Sequence, residues 1–395
     1  MRILVLADDI PYPLAHGQHL RIFNYVQTLG GRHDFDLLCP DQRSLPEQVK
    51  ELFGRTEVVE PDSMPGFRGW PVLRSFSLEQ MLPEDTRVTA RLNRMVAEID
   101  YDLIWVTGER VIPSVPFRRI PALMDLVDDE VLNHLRSAKI ASSLPKRVQA
   151  LKRAFMHYRL ERRFYGQGDA CLVVSEPDGA MFRRICPEVP VTVVKNGVDA
   201  EYFAPRQEEP REPVVAFEGN MSFPPNVDAV LFFAEKVLPR IREQVPEVRF
   251  RVVGKDPAPR VRELEGRGVE VTGFVEDLRP HLGQAAVFVS PMRKGTGIKN
   301  KILQAWAMGR PVVGTRLSFG GLGIREGENG ITADGPRDMA SAVVRLLRSP
   351  EERMAIGRGG RQTVLDHHTW EQKGRELESL MLQVAASHQG RRAYA

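Results

Sequence analysis

Residues 287–315 read VFVSPMRKGTGIKNKILQAWAMGRPVVGT. Val287–Ser290 is a short apolar run that Pro291 ends, and Pro311–Thr315 is a second such run. Between them lie a glycine loop, with Gly295 and Gly297, and an amphipathic stretch opening near Ile298–Asn300. Strand, glycine loop, helix and strand together make the repeating unit of a parallel sheet. Glycines let a backbone approach an anion closely, and a helix start adds unpaired N–H groups and the positive end of a dipole. Lys294 in the loop, with Lys299 and Lys301 at the helix start, places charge where a diphosphate would lie. The chain has 11 lysines against 44 arginines, yet three of the lysines fall within these eight residues. A plain solvated face does not account for that concentration.

The same alternation runs outward in both directions. Apolar β-branched runs occur at Ile3–Ala7, Phe35–Cys39, Leu103–Thr107, Ala122–Leu126, Ala170–Val174 and Thr192–Val194. Further runs occur at Val214–Phe217, Arg249–Val253, Val269–Thr272 and Gly330–Thr332. Helical patterns such as Arg21–Leu29, Val227–Val245 and Met339–Leu347 separate them. The fold class is therefore α/β, with doubly wound parallel sheets covered on both faces. Residues 201–213 carry Pro205, Pro210 and Pro213 with four acidic residues and read as a linker. The expected domains are 1–200 and 214–368, and a C-terminal helix with a tail over 369–395 returns to the first of them. Two Rossmann-like domains of this kind are expected to face a cleft and to bind ligands at the carboxyl ends of their strands.

Composition sets outer limits. The chain has 395 residues, 42% hydrophobic and 27% charged, with a net charge of +3. A disordered or fibrous chain is excluded, and no global basic field exists to gather nucleic acid. Cys39, Cys171 and Cys186 lie far apart without zinc-ligand spacing and read as buried small hydrophobes of a reducing compartment. The five-residue apolar run at Ile3–Ala7 is too short for a signal peptide, so the expected location is cytoplasmic.

Several motifs, in order and at these spacings, resemble family 4 glycosyltransferases of the GT-B fold, and most closely the bacterial exopolysaccharide-associated sugar transferases. Pro11-Tyr-Pro-Leu-Ala-His-Gly17 with Arg21 looks like their N-terminal glycine loop. Lys195-Asn-Gly-Val-Asp199 followed by Phe203 looks like the turn that ends their first domain. Phe217-Glu-Gly-Asn220 matches the first strand and loop of their second domain, and Thr272-Gly-Phe-Val-Glu-Asp277 their base-contacting loop. The resemblance implies a retaining transfer of sugar from a nucleoside-diphosphate donor, UDP-linked or other, to a hydroxyl acceptor, with no metal and no cofactor. It implies donor contacts from Gly219, Asn220, Phe274, Val275, Arg293, Lys294, Gly295, Thr296, Gly297, Ile298, Lys301 and Gln304. It places Asp128, Lys299 and Gly17 in the catalytic set, and His16 and Asp125 on the acceptor side.

Departures from the family's pattern accompany the likeness. Two donor-site glutamates, common in the family eight positions apart, are Thr296 and Gln304 here. An Arg and Lys that often clamp the diphosphate are Asn220 and Pro225. Lys299 and Lys301, with Arg293, are expected to replace that charge. A histidine common at the end of the strand Ala122–Leu126 is absent, and Asp125 or Asp128 stands in its place. Asp128-Asp129 also fits a helix cap, with no metal implied. These losses favour a second reading, a catalytically weak nucleotide-sugar-binding partner of a polysaccharide assembly complex. A sugar-nucleotide epimerase is disfavoured, because it would need several titratable groups in the cleft. Finally, residues 146–163 hold seven cations against Glu161. That pattern suits either a solvated face or a peripheral contact with anionic lipid on the inner face of a membrane.

Overall fold

The computed structural model describes residues 1–14, 17–62, 82–117, 119–139, 141, 143–205, 210, 212–295 and 297–393. The chain packs as two units, Met1–Lys195 with Lys373–Ala395, and Asn196–Gln372.

The first unit holds a seven-stranded sheet. Its strands are β1 (Arg2–Ala7), β2 (Asp34–Pro40), β3 (Thr56–Val59), β4 (Leu103–Thr107), β5 (Ala122–Val127), β6 (Ala170–Val173) and β7 (Val191–Val193). They lie in the order β3-β2-β1-β4-β5-β6-β7, and every pairing is parallel. The second unit holds six strands: β8 (Val214–Glu218), β9 (Arg249–Val253), β10 (Val269–Gly273), β11 (Val287–Ser290), β12 (Val312–Gly314) and β13 (Ile331–Thr332). Their order is β10-β9-β8-β11-β12-β13, again all parallel. In both sheets the order reverses beside the first strand, the switch point at which such sheets open a crevice for ligands.

The doubly wound parallel architecture read from the sequence is thus present twice. Each apolar run expected as a strand forms one, within a residue or two at its ends. The strand β3 was not anticipated: its TEVV sequence is short, half-buried and at the sheet edge. The pattern Val227–Val245 reads as one helix, but it forms Pro224–Phe232, a wider π-type turn over Phe233–Val237, and Leu238–Arg242. Pro239 explains the change, since it lacks an N–H and its ring crowds the carbonyl one turn earlier. Phe233 is still fully buried and meets Phe250 of β9 at 4.5 Å between ring centroids.

The packing division falls at Lys195/Asn196, ahead of the proline-rich stretch. Val198, Ala200 and Phe203 pack in one apolar cluster with Trp306, Ile302 and Val364 of the second unit. The last helix, Trp370–Ala393, begins in the second unit and continues in the first, where Glu378 pairs with Arg32 at 2.6 Å and with His33 at 2.8 Å.

A buried ion pair organises the first unit. The helix Gly17–Leu29 carries Arg21, which is fully buried. Its guanidinium donates to Asp125 of β5 at 3.2 and 3.4 Å and to the Val194 carbonyl at 3.0 Å. It also lies 5.3 Å from the Tyr25 ring, whose hydroxyl donates to the Lys195 carbonyl at 2.9 Å. One cation therefore joins a helix, a central strand and the chain beyond β7. Removing one partner of such a pair leaves an uncompensated buried charge, which costs about 3–5 kcal/mol. Asp125→Ala should lower the free energy of unfolding by that amount, with a matching fall in the urea midpoint. The double change Arg21→Met with Asp125→Leu should cost less than Asp125→Ala alone, as equilibrium unfolding will measure.

Candidate functional site

At the carboxyl edge of the second sheet, β8 ends in Glu218-Gly219-Asn220 and β9 in Gly254. Gly254 has φ +146°, and a Cβ there would lie 1.8 Å from the Gly219 carbonyl oxygen. The two strand ends touch through bare backbone, so neither side of the contact tolerates a side chain. Gly219 itself has φ +151°, and a Cβ would sit 2.6 Å from Asn226 Nδ2 and 2.8 Å from Lys301 Nζ. Asn226 Nδ2 in turn donates to the Asn220 carbonyl at 2.9 Å, so the loop folds back over its own amide.

Lys301 fills the space that glycine leaves. It lies in the first turn of the helix Asn300–Ala307, and its ammonium donates to the Glu218 carbonyl at 2.6 Å and to Asn226 Oδ1 at 2.9 Å. The same ammonium stands 4.2 Å from the centre of the Phe217 ring. Burial pushes it down to about 8, against the pull of Glu218 and with the repulsion of Lys299. Burial also raises the Glu218 carboxyl above the usual range, and Lys301 opposes that shift. Lys299 is buried at the helix start, where its ammonium donates to the Gly297 carbonyl at 3.0 Å. Asn300 is held by Asn196, which donates to its Oδ1 at 3.0 Å.

The other expected donor residues are placed as follows. Gly295 has φ +110°, and a Cβ there would meet Lys299 Nζ at 3.7 Å, so the loop passes directly over that ammonium. Gly297 is also left-handed, with φ +65°. Arg293 and Lys294 both bind Asp228, at 2.8 and 3.1 Å. Against the effect of burial, those two cations hold the Asp228 carboxyl below its usual range. Asn220 accepts from the Ser222 amide at 2.9 Å, Ile298 is buried, and Gln304 and Val275 are half-buried. Phe274 is an aromatic ring 71% exposed at the end of β10, unusual for its size and available for stacking. Thr296 lies outside the described residues, as does His16.

In the first unit, Gly17 opens its helix with no atom within 4 Å of a would-be Cβ, so packing does not demand glycine there. Asp125 does not stand open to a ligand: it is 2% exposed and bonded to Arg21, a correction to its acceptor-side assignment. Its carbon skeleton is an interior residue of β5, and a buried arginine needs its charge. Asp128 follows Val127, a β-branched residue at φ +60°, where the pairing of β5 with β6 shifts register. Such strain persists where the surroundings enforce it and is concentrated at functional turns. Asp129 is the helix cap: its Oδ1 accepts from the Leu132 amide at 2.7 Å.

Sequence reasoning did not single out Glu218, Asn226 or Asp228. The motif that contains Glu218 was noticed, yet its carboxyl was passed over. Asn226 and Asp228 lie on a neighbouring helix, about 70 residues before the lysines they meet, and no local pattern reports that pairing.

Residues 212–349 match the family described as glycosyl transferases, group 1. An uncharacterized 44.6 kDa protein of the cps region of Klebsiella pneumoniae is 21% identical over 350 residues, 84% of this chain and 87% of that protein. Among solved structures, sucrose-phosphate synthase from Thermosynechococcus elongatus superposes with a TM-score of 0.74 at 16% identity, covering 98% of this chain and all of the other. HepE of Anabaena, solved with UDP and glucose, gives 0.67 at 16% identity over 96% of this chain and 98% of its own.

The Lys301 environment makes a direct prediction. Its ammonium should titrate near pH 8 when followed by NMR of labelled lysine side chains. Glu218→Gln removes an attraction and should lower that value, whereas Lys299→Met removes a repulsion and should raise it.

Proposed function

Because the chain is a group 1, family 4 glycosyltransferase with the GT-B fold, we propose that it transfers a sugar from a uridine-diphosphate donor to a hydroxyl acceptor with retention. The observation that carries this reading is the Lys301 ammonium, buried beside Gly219 at the carboxyl edge of the matched domain. Lys299 and Lys301 would replace the Arg–Lys clamp common in the family. Each is presented at a helix start whose amides add to its charge. Uridine is favoured because HepE, of the same fold, was solved with UDP. In this reading Phe274 and Val275 meet the base and Gln304 the ribose. The Klebsiella relative of the cps region supports a polysaccharide acceptor.

The chemistry needs charge at the leaving group more than a protein nucleophile. The bond from the anomeric carbon to the diphosphate oxygen breaks as the acceptor oxygen bonds the same face. The acceptor proton passes to the departing diphosphate. Lys299 and Lys301 stabilise the charge that develops there, and Asp128 orients the acceptor. The neutral Gln304 in place of a glutamate favours one alternative, a nucleotide-sugar-binding partner with little turnover.

Lys301→Ala and Lys299→Ala should each weaken UDP binding about 10- to 150-fold, as expected for the loss of a charge-assisted hydrogen bond. Uridine should bind almost unchanged. Lys301 is charged below its value of about 8, so UDP affinity in the wild type should fall as pH rises through that point, and the Lys301→Ala protein should lack the step. Calorimetry across pH measures both. Equal losses for uridine and UDP would refute the assignment, and a wild type that binds nucleotide sugars but cleaves none would favour the binding partner.

A peripheral membrane contact is part of the same proposal. Among the described residues no helix is long and apolar enough to cross a membrane. The helix Leu144–Arg163, however, exposes Leu144, Val148, Leu151, Phe155 and Tyr158 along one stripe, flanked by Lys146, Arg147, Lys152 and Arg153. Apolar side chains between basic ones match the headgroup boundary of anionic lipid. The protein should co-sediment with phosphatidylglycerol vesicles and be released by salt. Phe155→Ser with Leu151→Ser should abolish sedimentation while leaving the thermal transition in place. No sedimentation with phosphatidylglycerol vesicles would return the helix to an ordinary solvated face, and equal binding to neutral vesicles would refute the role of its basic residues.

A further inference from the structure

Glu130 and His134 stand one turn apart on the helix Glu130–Lys139, and His157 faces them from the helix Leu144–Arg163. One ligand atom from each lies within 4.8 Å of the others. The two imidazole rings are 5.1 Å apart between centroids, and His134 Nε2 is 3.6 Å from Glu130 Oε2. All three residues are partly buried. Glu109, from the loop after β4, holds His157 through Nδ1 at 3.1 Å, as a carboxylate orients a metal-ligating imidazole.

A second observation lies one turn along the same helix. Glu161, one turn beyond His157 on the same helix, is fully buried, and neither of its carboxyl oxygens has a hydrogen-bond partner. Its charge is opposed, beyond burial itself, by Asp129, Glu109 and Glu130, with the nearby Val131 amide favouring it. Two carboxylates, Glu130 and Glu109, thus pair with the two histidines, and the positive charge of Arg153 acts on both rings. Two imidazoles with one or two carboxylates suit a borderline ion such as zinc better than magnesium or calcium, which take oxygen shells.

We propose that Glu130, His134 and His157 bind a divalent transition ion of the zinc class, with Glu109 orienting His157. Zinc–nitrogen distances of about 2.0–2.1 Å bring ligand atoms to roughly 3.4 Å from one another, which rotamer adjustments of about an ångström supply. The ion ties the two helices together beside the turn that carries Asp128, and it neutralises the field that isolates Glu161. It takes no part in breaking the donor bond, so it is a structural or regulatory ligand and does not depend on the donor assignment above.

Full-length protein stripped with chelator and titrated with Zn²⁺ should take up one ion per chain by calorimetry, and its thermal transition should rise. Glu109→Gln should weaken uptake about 10- to 100-fold, the usual effect of losing an outer carboxylate. His134→Gln and His157→Gln should each abolish stoichiometric uptake while the stripped proteins melt like the stripped wild type. Co²⁺ bound to the wild type should show visible bands of a histidine-ligated, low-symmetry site. That spectrum decides the matter if a histidine variant fails to fold. No stoichiometric uptake, uptake unchanged in both histidine variants, or a Co²⁺ spectrum without nitrogen ligation would overturn the proposal.

Discussion

A buried ammonium needs acceptors, and the second unit is arranged around that need at Lys301. Its acceptors are a strand-end carbonyl and the Asn226 amide oxygen, with the Phe217 ring completing the shell. Glu218 and Phe217 belong to β8 and Asn226 to the helix Pro224–Phe232, so the amine ties both to its own helix, Asn300–Ala307. The absence of a side chain at Gly219 follows from the same requirement, since a Cβ would fall on Lys301 Nζ and Asn226 Nδ2. Gly254 then has to be bare because it packs on the Gly219 backbone. A chain of steric and polar constraints thus runs from one amine to two glycines and three elements.

The first unit resolves its buried charge differently. Arg21 and Asp125 neutralise one another inside the fold, leaving neither for a ligand. At the strand ends beyond them the surplus is acidic. Asp8 follows β1 with its carboxyl raised to about 7, chiefly by burial and then by Glu109. Asp129 follows β5 and is likewise raised by burial, with Asp178 and Glu130 adding repulsion. Gly108 gives Asp8 its space, for a Cβ there would fall 2.1 Å from the Asp8 carboxyl carbon. The second unit therefore collects cations at its strand ends, and the first collects carboxylates. The former suits a diphosphate, and the latter suits hydroxyls or a cation.

Local pattern carried most of the fold into the sequence. Buried parallel strands are continuous apolar runs, so Leu103–Thr107, Arg249–Val253 and Val287–Ser290 end where the sequence said they would. The glycine loop and the lysine cluster were legible for a related reason: φ above zero and concentrated charge are properties of single residues. What the sequence hid was pairwise. Nothing in residues 122–128 tells that Asp125 points inward to an arginine 104 positions away while Asp128 lies beyond a strained valine. Nor does Asn226 announce that its amide will accept from a lysine 75 residues later. The packing division at Lys195/Asn196 is pairwise too, because a proline-rich stretch can still bury Phe203 when a Trp306 awaits it.

The choice of lysine at this site, in a chain with four arginines for every lysine, has a physical basis. A guanidinium presents five donors in a rigid plane and is never neutral, so burying one requires acceptors around its whole edge. Arg21 meets that demand only with a carboxylate and a strand-end carbonyl together. Beside Gly219 the fold offers two acceptors and an aromatic face, a shell that fits a compact ammonium and would leave a guanidinium short. An ammonium also gives up its proton when desolvation is severe, and Lys301 sits near that threshold. An anion arriving at the strand ends would stabilise the charged form and raise the amine's proton affinity. Anion binding and protonation at this lysine are therefore linked, and an arginine at the same place could not provide that linkage.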